Sequence, residues 1–257
     1  MASRSWSRDV PQLLVGLVAL AVAVAIALPV TAVVVAGALR DVKRQRDTIV
    51  VTGSAKQPIE ANLAVWRLSV SAQERTPRAA IAAVRAKIQR VDGFLERGGV
   101  GGSAINKPPI AVEQTSVNVP TGLKKPAFRA VPAWRVGQSF TIQTAEINTV
   151  ERVAARVGDL LAQGTDVTVE PIQYLSTRLK RAKFAALRLA TADARERAET
   201  IADGLGGDLG SVKSVQLGVY QITPRNSTDV SDYGINDTST RRKDVTAVVT
   251  VTFRVER

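Results

Sequence analysis

From Val10 to Leu39 the chain carries no charged side chain. The run is built almost wholly from Leu, Val and Ala, as in Leu13-Leu14-Val15-Gly16-Leu17-Val18-Ala19-Leu20. A helix needs roughly 20 apolar residues to cross the hydrocarbon core of a bilayer. This run exceeds that length, so it can span with tilt, and Pro29 within it is tolerated in a membrane helix. The chain therefore divides at the outset. Residues 1–10 read as a short tail, 11–39 as a transmembrane anchor or signal segment, 40–46 as a basic linker, and 47–257 as the folded domain. Arg4 and Arg8 with the small-x-small site Ala36-Gly37-Ala38 fit a cleaved signal. The apolar run is far longer than the roughly 7–15 residues of a signal's apolar region, which favours a retained anchor.

The flanking charges pull the other way on orientation. Arg40, Lys43, Arg44 and Arg46 follow the apolar run, whereas Arg4 and Arg8 precede it. Taken literally, an excess of Lys and Arg on the cytoplasmic side places the domain in the cytoplasm. The signal-like start argues for export. Of the formal charge of +12, +8 belongs to the residues after Arg46. A basic domain on a short tether suits anionic lipid, cell-wall polyanions, nucleic acid or an acidic partner. The chain has no Cys and no His, which removes disulfides, thiol nucleophiles, imidazole bases and the commonest zinc ligands.

The domain reads as alternating strands and helices. Thr48–Gly53 is short and β-branched, a first strand. Between Asn62 and Glu74, Trp66, Leu68, Val70 and Ala72 alternate with Arg67, Ser69, Ser71 and Gln73, the period of a half-buried strand. Thr76-Pro77 opens a helix, with Thr as cap and Pro at the first position. Its stripe is Ile81, Val84, Ile88, Val91 and Leu95, and Gly98-Gly99 ends it. Ile110–Val119 and a strand through Trp134, Val136, Phe140 and Ile142 are expected to form a hairpin around the Pro120–Pro126 loop. A second helix is predicted from Asn148, with Glu151 completing a variant capping box, through Val150, Val153, Ala154, Val157, Leu160 and Leu161 to Gly164. Asp166–Leu175 reads as a strand with an edge or bulge at Pro171. The third helix, about Thr177–Asp203, has a small-residue face of Ala182, Ala186, Leu189, Ala190, Ala194, Ala198 and Ile201, and Asp193 and Arg197 are spaced to pair. Strands at Val212–Ile222 and Val245–Val255 enclose a polar, aperiodic Thr223–Lys243 segment, expected to be a long mobile loop or a partner-binding insert. The order ββαββαβαββ gives an α+β fold, a mainly antiparallel sheet with three helices preceded by one N-terminal transmembrane helix.

Three stretches of this domain resemble the SIMPL-domain family of bacterial envelope proteins. They are Ile49-Val50-Val51-Thr52-Gly53-Ser54-Ala55, the helix segment Ala190-Thr191-Ala192-Asp193-Ala194-Arg195-Glu196-Arg197-Ala198 with Ile201-Ala202-Asp203-Gly204-Leu205-Gly206 and Leu209-Gly210, and Val248-Val249-Thr250-Val251-Thr252-Phe253. The resemblance covers Thr48 to Val255. It implies a periplasmic or envelope-anchored protein, which favours export. It also implies a link to oxidative stress in some members, and self-association, with a ring-shaped, channel-like oligomer as precedent. It carries no catalytic residues.

The residues themselves offer little for catalysis. Ser54 and Lys56 are near enough in sequence for a Ser–Lys pair, but both residue types are common and nothing else marks them. Glu60, Glu113 and Glu170 are carboxylates that the fold could pair in space, with solvated surface their more ordinary use. Asp229 and Asp232 are the nearest thing to a metal site, in a segment whose polar character already explains them. No catalytic site, metal or cofactor is expected. The expected function is a non-enzymatic structural or protective role as a homo-oligomer, held to the membrane through residues 11–39, with the domain in the periplasm or outside the cell. The alternative is a monomeric tether that binds anionic lipid or cell-wall polymer through three basic groups. These are Lys124, Lys125 and Arg129; Arg178, Lys180 and Arg181; and Arg241, Arg242 and Lys243. Nucleic acid is disfavoured, because neither a binding motif nor interleaved aromatics accompany these charges.

Overall fold

The computed structural model describes residues 48–120 and 128–256. The predicted anchor, the basic linker and the hairpin-loop residues Lys124 and Lys125 lie outside the described residues. Among the described residues, no helix is long and apolar enough to cross a membrane. They form two compact units, Gly53–Asp193 with Leu217–Val249, and a smaller unit of residues 48–52, Ala194–Gln216 and residues 250–256.

In the larger unit the period-two segments pair as their patterns require. Strand β2 (Leu63–Glu74) runs antiparallel to β5 (Phe128–Thr144), in register from Ala64 opposite Thr144 to Glu74 opposite Trp134. This register places Trp66 opposite Ile142 and Leu68 opposite Phe140. Strand β4 (Ala111–Pro120) forms the expected hairpin with β5, and β3 (Ile105–Asn106) pairs farther along the same edge. On the other edge of β2, the Asp166–Leu175 segment pairs twice, as β6 (Thr168–Val169) and β7 (Gln173–Leu175). Pro171 lies in the gap between them, where a residue without an N–H interrupts a ladder.

Helix α1 (Pro77–Arg97) starts as the sequence indicates. Thr76 Oγ1 accepts the Ala79 N–H at 3.2 Å, and Pro77 holds the first turn. Its buried face of Val84, Val91, Phe94 and Leu95 joins Trp66, Leu68, Val70, Val136, Phe140 and Ile142 in one core. Full burial of side chains of this size is worth about 1.5–3 kcal/mol each. The helix ends at Gly98, where a Cβ would lie 2.4 Å from Val153 Cγ2. The second predicted helix comes as two consecutive pieces, α2 (Ile147–Ala155) and α3 (Gly158–Ala162), which bring Val150, Val153 and Leu160 into the same core. Its predicted capping box is not used. Glu146 occupies the cap position without a side-chain bond, because Asn148 and Glu151 are engaged elsewhere.

Helix α4 (Leu179–Gly204) buries Ala182, Ala186, Ala190, Ala194, Ala198 and Ala202, while Leu189 and Ile201 are exposed. The predicted stripe is thus corrected to a run of alanines spaced strictly by four. Since a turn holds 3.6 residues, such a stripe winds slowly around the helix.

The second sheet has the order β1 (Thr48–Glu60), β11 (Arg242–Glu256), β9 (Gln221–Pro224) and β10 (Ile235–Asn236), with β8 (Asp208–Leu217) also paired to β11. Strand β1 is longer than its β-branched start suggested. The predicted Val212–Ile222 strand is divided between β8 and β9. The Thr223–Lys243 segment is largely without regular structure but is pinned at its middle. β10 lies parallel to β9 with Ile235 opposite Gln221, and the Asp237 N–H donates to Ile222 O at 2.8 Å. Gly234 takes φ +82° against Tyr220 O, 2.8 Å from where a Cβ would stand. Isolated backbone bonds and two-residue ladders of this kind leave no periodic trace in a sequence. In the smaller unit, Thr52 Oγ1 and Thr250 Oγ1 are 3.0 Å apart. There Gly210 lies close against Arg254 O and Glu256.

Candidate functional site

Two of the three predicted basic groups fall on described residues that make quite different use of their charge. Of the Arg241-Arg242-Lys243 group, Lys243 is buried, Arg241 is half-buried and Arg242 is exposed. Lys243 Nζ donates to Asp237 Oδ2 at 2.9 Å and to Asp237 O at 2.6 Å, with side chains 3% and 8% exposed. The Asp237 carboxylate also accepts the N–H and hydroxyl of Ser239 and the N–H and hydroxyl of Thr240. Burial alone would raise its pKa. The hydroxyls of Thr240 and Ser239, the Lys243 ammonium and the Ser239 N–H outweigh that and hold it well below the ordinary carboxylate range.

Arg241 is similarly committed. Its Nη1 donates to Asn148 Oδ1 at 2.7 Å and lies 3.9 Å from Glu151 Oε2. Its Nε is 2.9 Å from Glu60 Oε1, an ion contact without hydrogen-bond alignment. Tyr174 Oη donates to Glu151 Oε1 at 2.9 Å. Burial and the Glu151 carboxylate together raise the Tyr174 pKa, which keeps the phenol a donor. Lys243 is thus matched by a buried carboxylate, and Arg241 by Glu60 and Glu151 at a part-exposed position. Arg242 is exposed, and its carbonyl accepts from the Arg225 N–H at 3.2 Å. Arg129 is exposed on β5.

Arg178, Lys180 and Arg181 stand together at the start of α4. Asn62 fixes the start of α4: its Nδ2 donates to Thr177 Oγ1 at 2.8 Å and its Oδ1 accepts the Thr177 N–H at 2.9 Å. Arg178, Lys180 and Arg181 then line a cleft of about 410 Å³ with Thr177 and Phe184. A second cleft of about 330 Å³ is shared by Arg178, Arg181, Ser176 and the Gln57–Glu60 end of β1. None of the three cations is ion-paired among the described residues. They also stand at the end of a helix whose dipole disfavours positive charge.

Sequence reasoning missed one basic cleft. Arg97, Arg152 and Arg156 border a space of about 460 Å³ between α1 and α2, with Phe94 and Gly98. Arg156 there pairs with Asp159 at 3.2 Å, and Arg152 Nη2 donates to Thr149 Oγ1 at 3.0 Å. No spacing rule joins Arg97 to residues more than fifty positions away, so only the fold could show it.

The conceivable catalytic groups are scattered. Lys56 Nζ donates to Ser227 O at 3.2 Å, and the Ser54 N–H donates to Asp193 Oδ2 at 2.8 Å. Glu60 faces Arg241, Glu170 lies 3.5 Å from Arg67, and Glu113 is opposite Arg135 in the β4–β5 ladder. Asp229 accepts the Ser227 hydroxyl at 2.8 Å. Among the described residues there is no group of three or more Asp and Glu placed to hold a metal ion.

Among the described residues, fold and surface together define an α+β protein with mainly antiparallel sheets, the helices α1–α4 and a basic group at the start of α4. The family model for SIMPL, described as a protein of unknown function (DUF541), matches residues 49–253, and the chain belongs to this family. No curated protein matches the chain.

Proposed function

We propose that this protein is a membrane-anchored, exported SIMPL domain with a non-enzymatic structural or protective role in the cell envelope, exercised through assembly with copies of itself. The apolar Val10–Leu39 run supports the anchor. The observation that carries the assembly is strand β8. Among the described residues it is paired to β11 alone. It exposes Val212, Val215 and Leu217 by 54%, 56% and 59%. An edge strand of ten residues with one lysine and no proline lacks most of the devices that keep edges apart. Its free backbone groups and valines suit pairing with a second chain.

Light scattering of the full chain in mild detergent tests this. A mass several times that of one chain is expected, and Val212→Lys with Val215→Lys reduces it to the monomer. A monomeric mass for the unaltered protein would remove the reading. A reporter fused after Arg257 tests compartment separately, with activity expected outside the cytoplasm. The alternative tether rests on fewer free charges, because Lys243 is buried against Asp237 and Arg241 is paired with Glu60.

A further inference from the structure

From Thr177 to Ala192 the chain has five basic residues, Arg178, Lys180, Arg181, Lys183 and Arg188, and no acidic one. The first half of α4 sorts them by face. Lys183 turns toward Tyr220, its Nζ 5.3 Å from the ring centre. Ala182, Ala186 and Ala190 take the buried side. Arg181, Phe184 and Arg188 recur at steps of three and four, so they share the outer side, with Arg178 and Lys180 flanking them. Phe184 is 62% exposed there and Leu189, at the margin, 45%. An aromatic ring held out in water between two unpaired guanidinium groups has no role in the core.

We infer that this face of α4 docks onto an anionic lipid surface. The charge selects an anionic partner, and the apolar residues select among anionic partners. Phe184 and Leu189 gain by entering the boundary between headgroups and acyl chains, whereas a soluble polyanion offers them nothing. The long arginine stems let the guanidinium groups reach phosphates while the ring sinks between them. The docking needs neither β8 nor a second copy, so it stands apart from the assembly proposed above.

The absence of native Cys makes the test direct. Leu189→Cys in the full chain is labelled with an environment-sensitive nitrobenzoxadiazole dye. The labelled protein is then combined with vesicles of phosphatidylcholine alone or of equal parts phosphatidylcholine and phosphatidylglycerol. Blue-shifted, stronger emission is expected with phosphatidylglycerol alone, and it should fade as salt rises. Arg181→Gln with Arg188→Gln weakens binding about fivefold per charge, roughly 25-fold in all, and abolishes the shift. Phe184→Ser weakens it roughly tenfold. An equal shift on both vesicles, or one indifferent to the arginine changes, overturns the inference. So does the same shift with soluble polyphosphate in place of vesicles. Flotation with phosphatidylcholine vesicles reports the Val10–Leu39 anchor independently, so failure of the anchor and failure of the α4 face are told apart.

Discussion

Lys243 Nζ lies 2.9 Å from Asp237 Oδ2 with both side chains almost wholly out of water. Because the pair is buried, removing one partner strands the other charge. Asp237→Ala is expected to cost about 3–5 kcal/mol, and Asp237→Ala combined with Lys243→Met considerably less. Urea denaturation of the two variants checks this. A double variant as damaged as the single one would show that the pair's charges are not what matters.

The same carboxylate sets an acid limit. Its folded-state pKa is depressed, so its contribution is fully present above the unfolded value, about 3.9, and is lost as pH falls below that toward the folded value. Thermal melts should therefore steepen their decline below about pH 4. Asp237→Asn should flatten that limb while lowering stability near neutrality. Parallel pH profiles for the two proteins would contradict the assignment.

Gly98 closes α1 where Val153 leaves no space for a Cβ. Gly98→Ala should destabilise by about 1–3 kcal/mol through overpacking. In a Val153→Ala background the same change should cost less, because the two sites share one contact. Additive costs in a double-mutant cycle would refute this.

Asn62 holds Thr177, two residues before α4, by two hydrogen bonds. Asn62→Ala should cost about 1–2 kcal/mol, given net values near 1 kcal/mol per bond. Amide exchange should quicken at Arg178 to Ala182 and leave β2 unchanged.

What the sequence revealed depended on whether a feature is periodic. Trp66, Leu68 and Val70 on β2 and Val136, Phe140 and Ile142 on β5 were legible because alternation records a half-buried strand. Thr76-Pro77 was legible because a cap needs particular residues at particular places. Leu189 was misread, since its side chain fits a buried stripe by type, yet the strict four-residue advance of the alanines turns it outward. Asn148 and Glu151 matched a capping box, but Arg241, ninety-three positions from Asn148, drew Asn148 away. Of the candidate site residues, Arg178, Lys180 and Arg181 were legible as neighbours on one helical turn. The commitment of Lys243 to Asp237 was not, because burial belongs to the tertiary fold.

Strand β11 lies between β1 and β9, so the opening strand of the domain is completed by a strand made long after it. A ribosome-bound chain halted before Arg242 would hold β1 and β9 with no shared neighbour. Closure must therefore wait until β11 has emerged, and until then the nascent domain stays open enough to be threaded. Premature termination within Arg242–Glu256 should yield a product that proteases clear rather than a shortened but working protein.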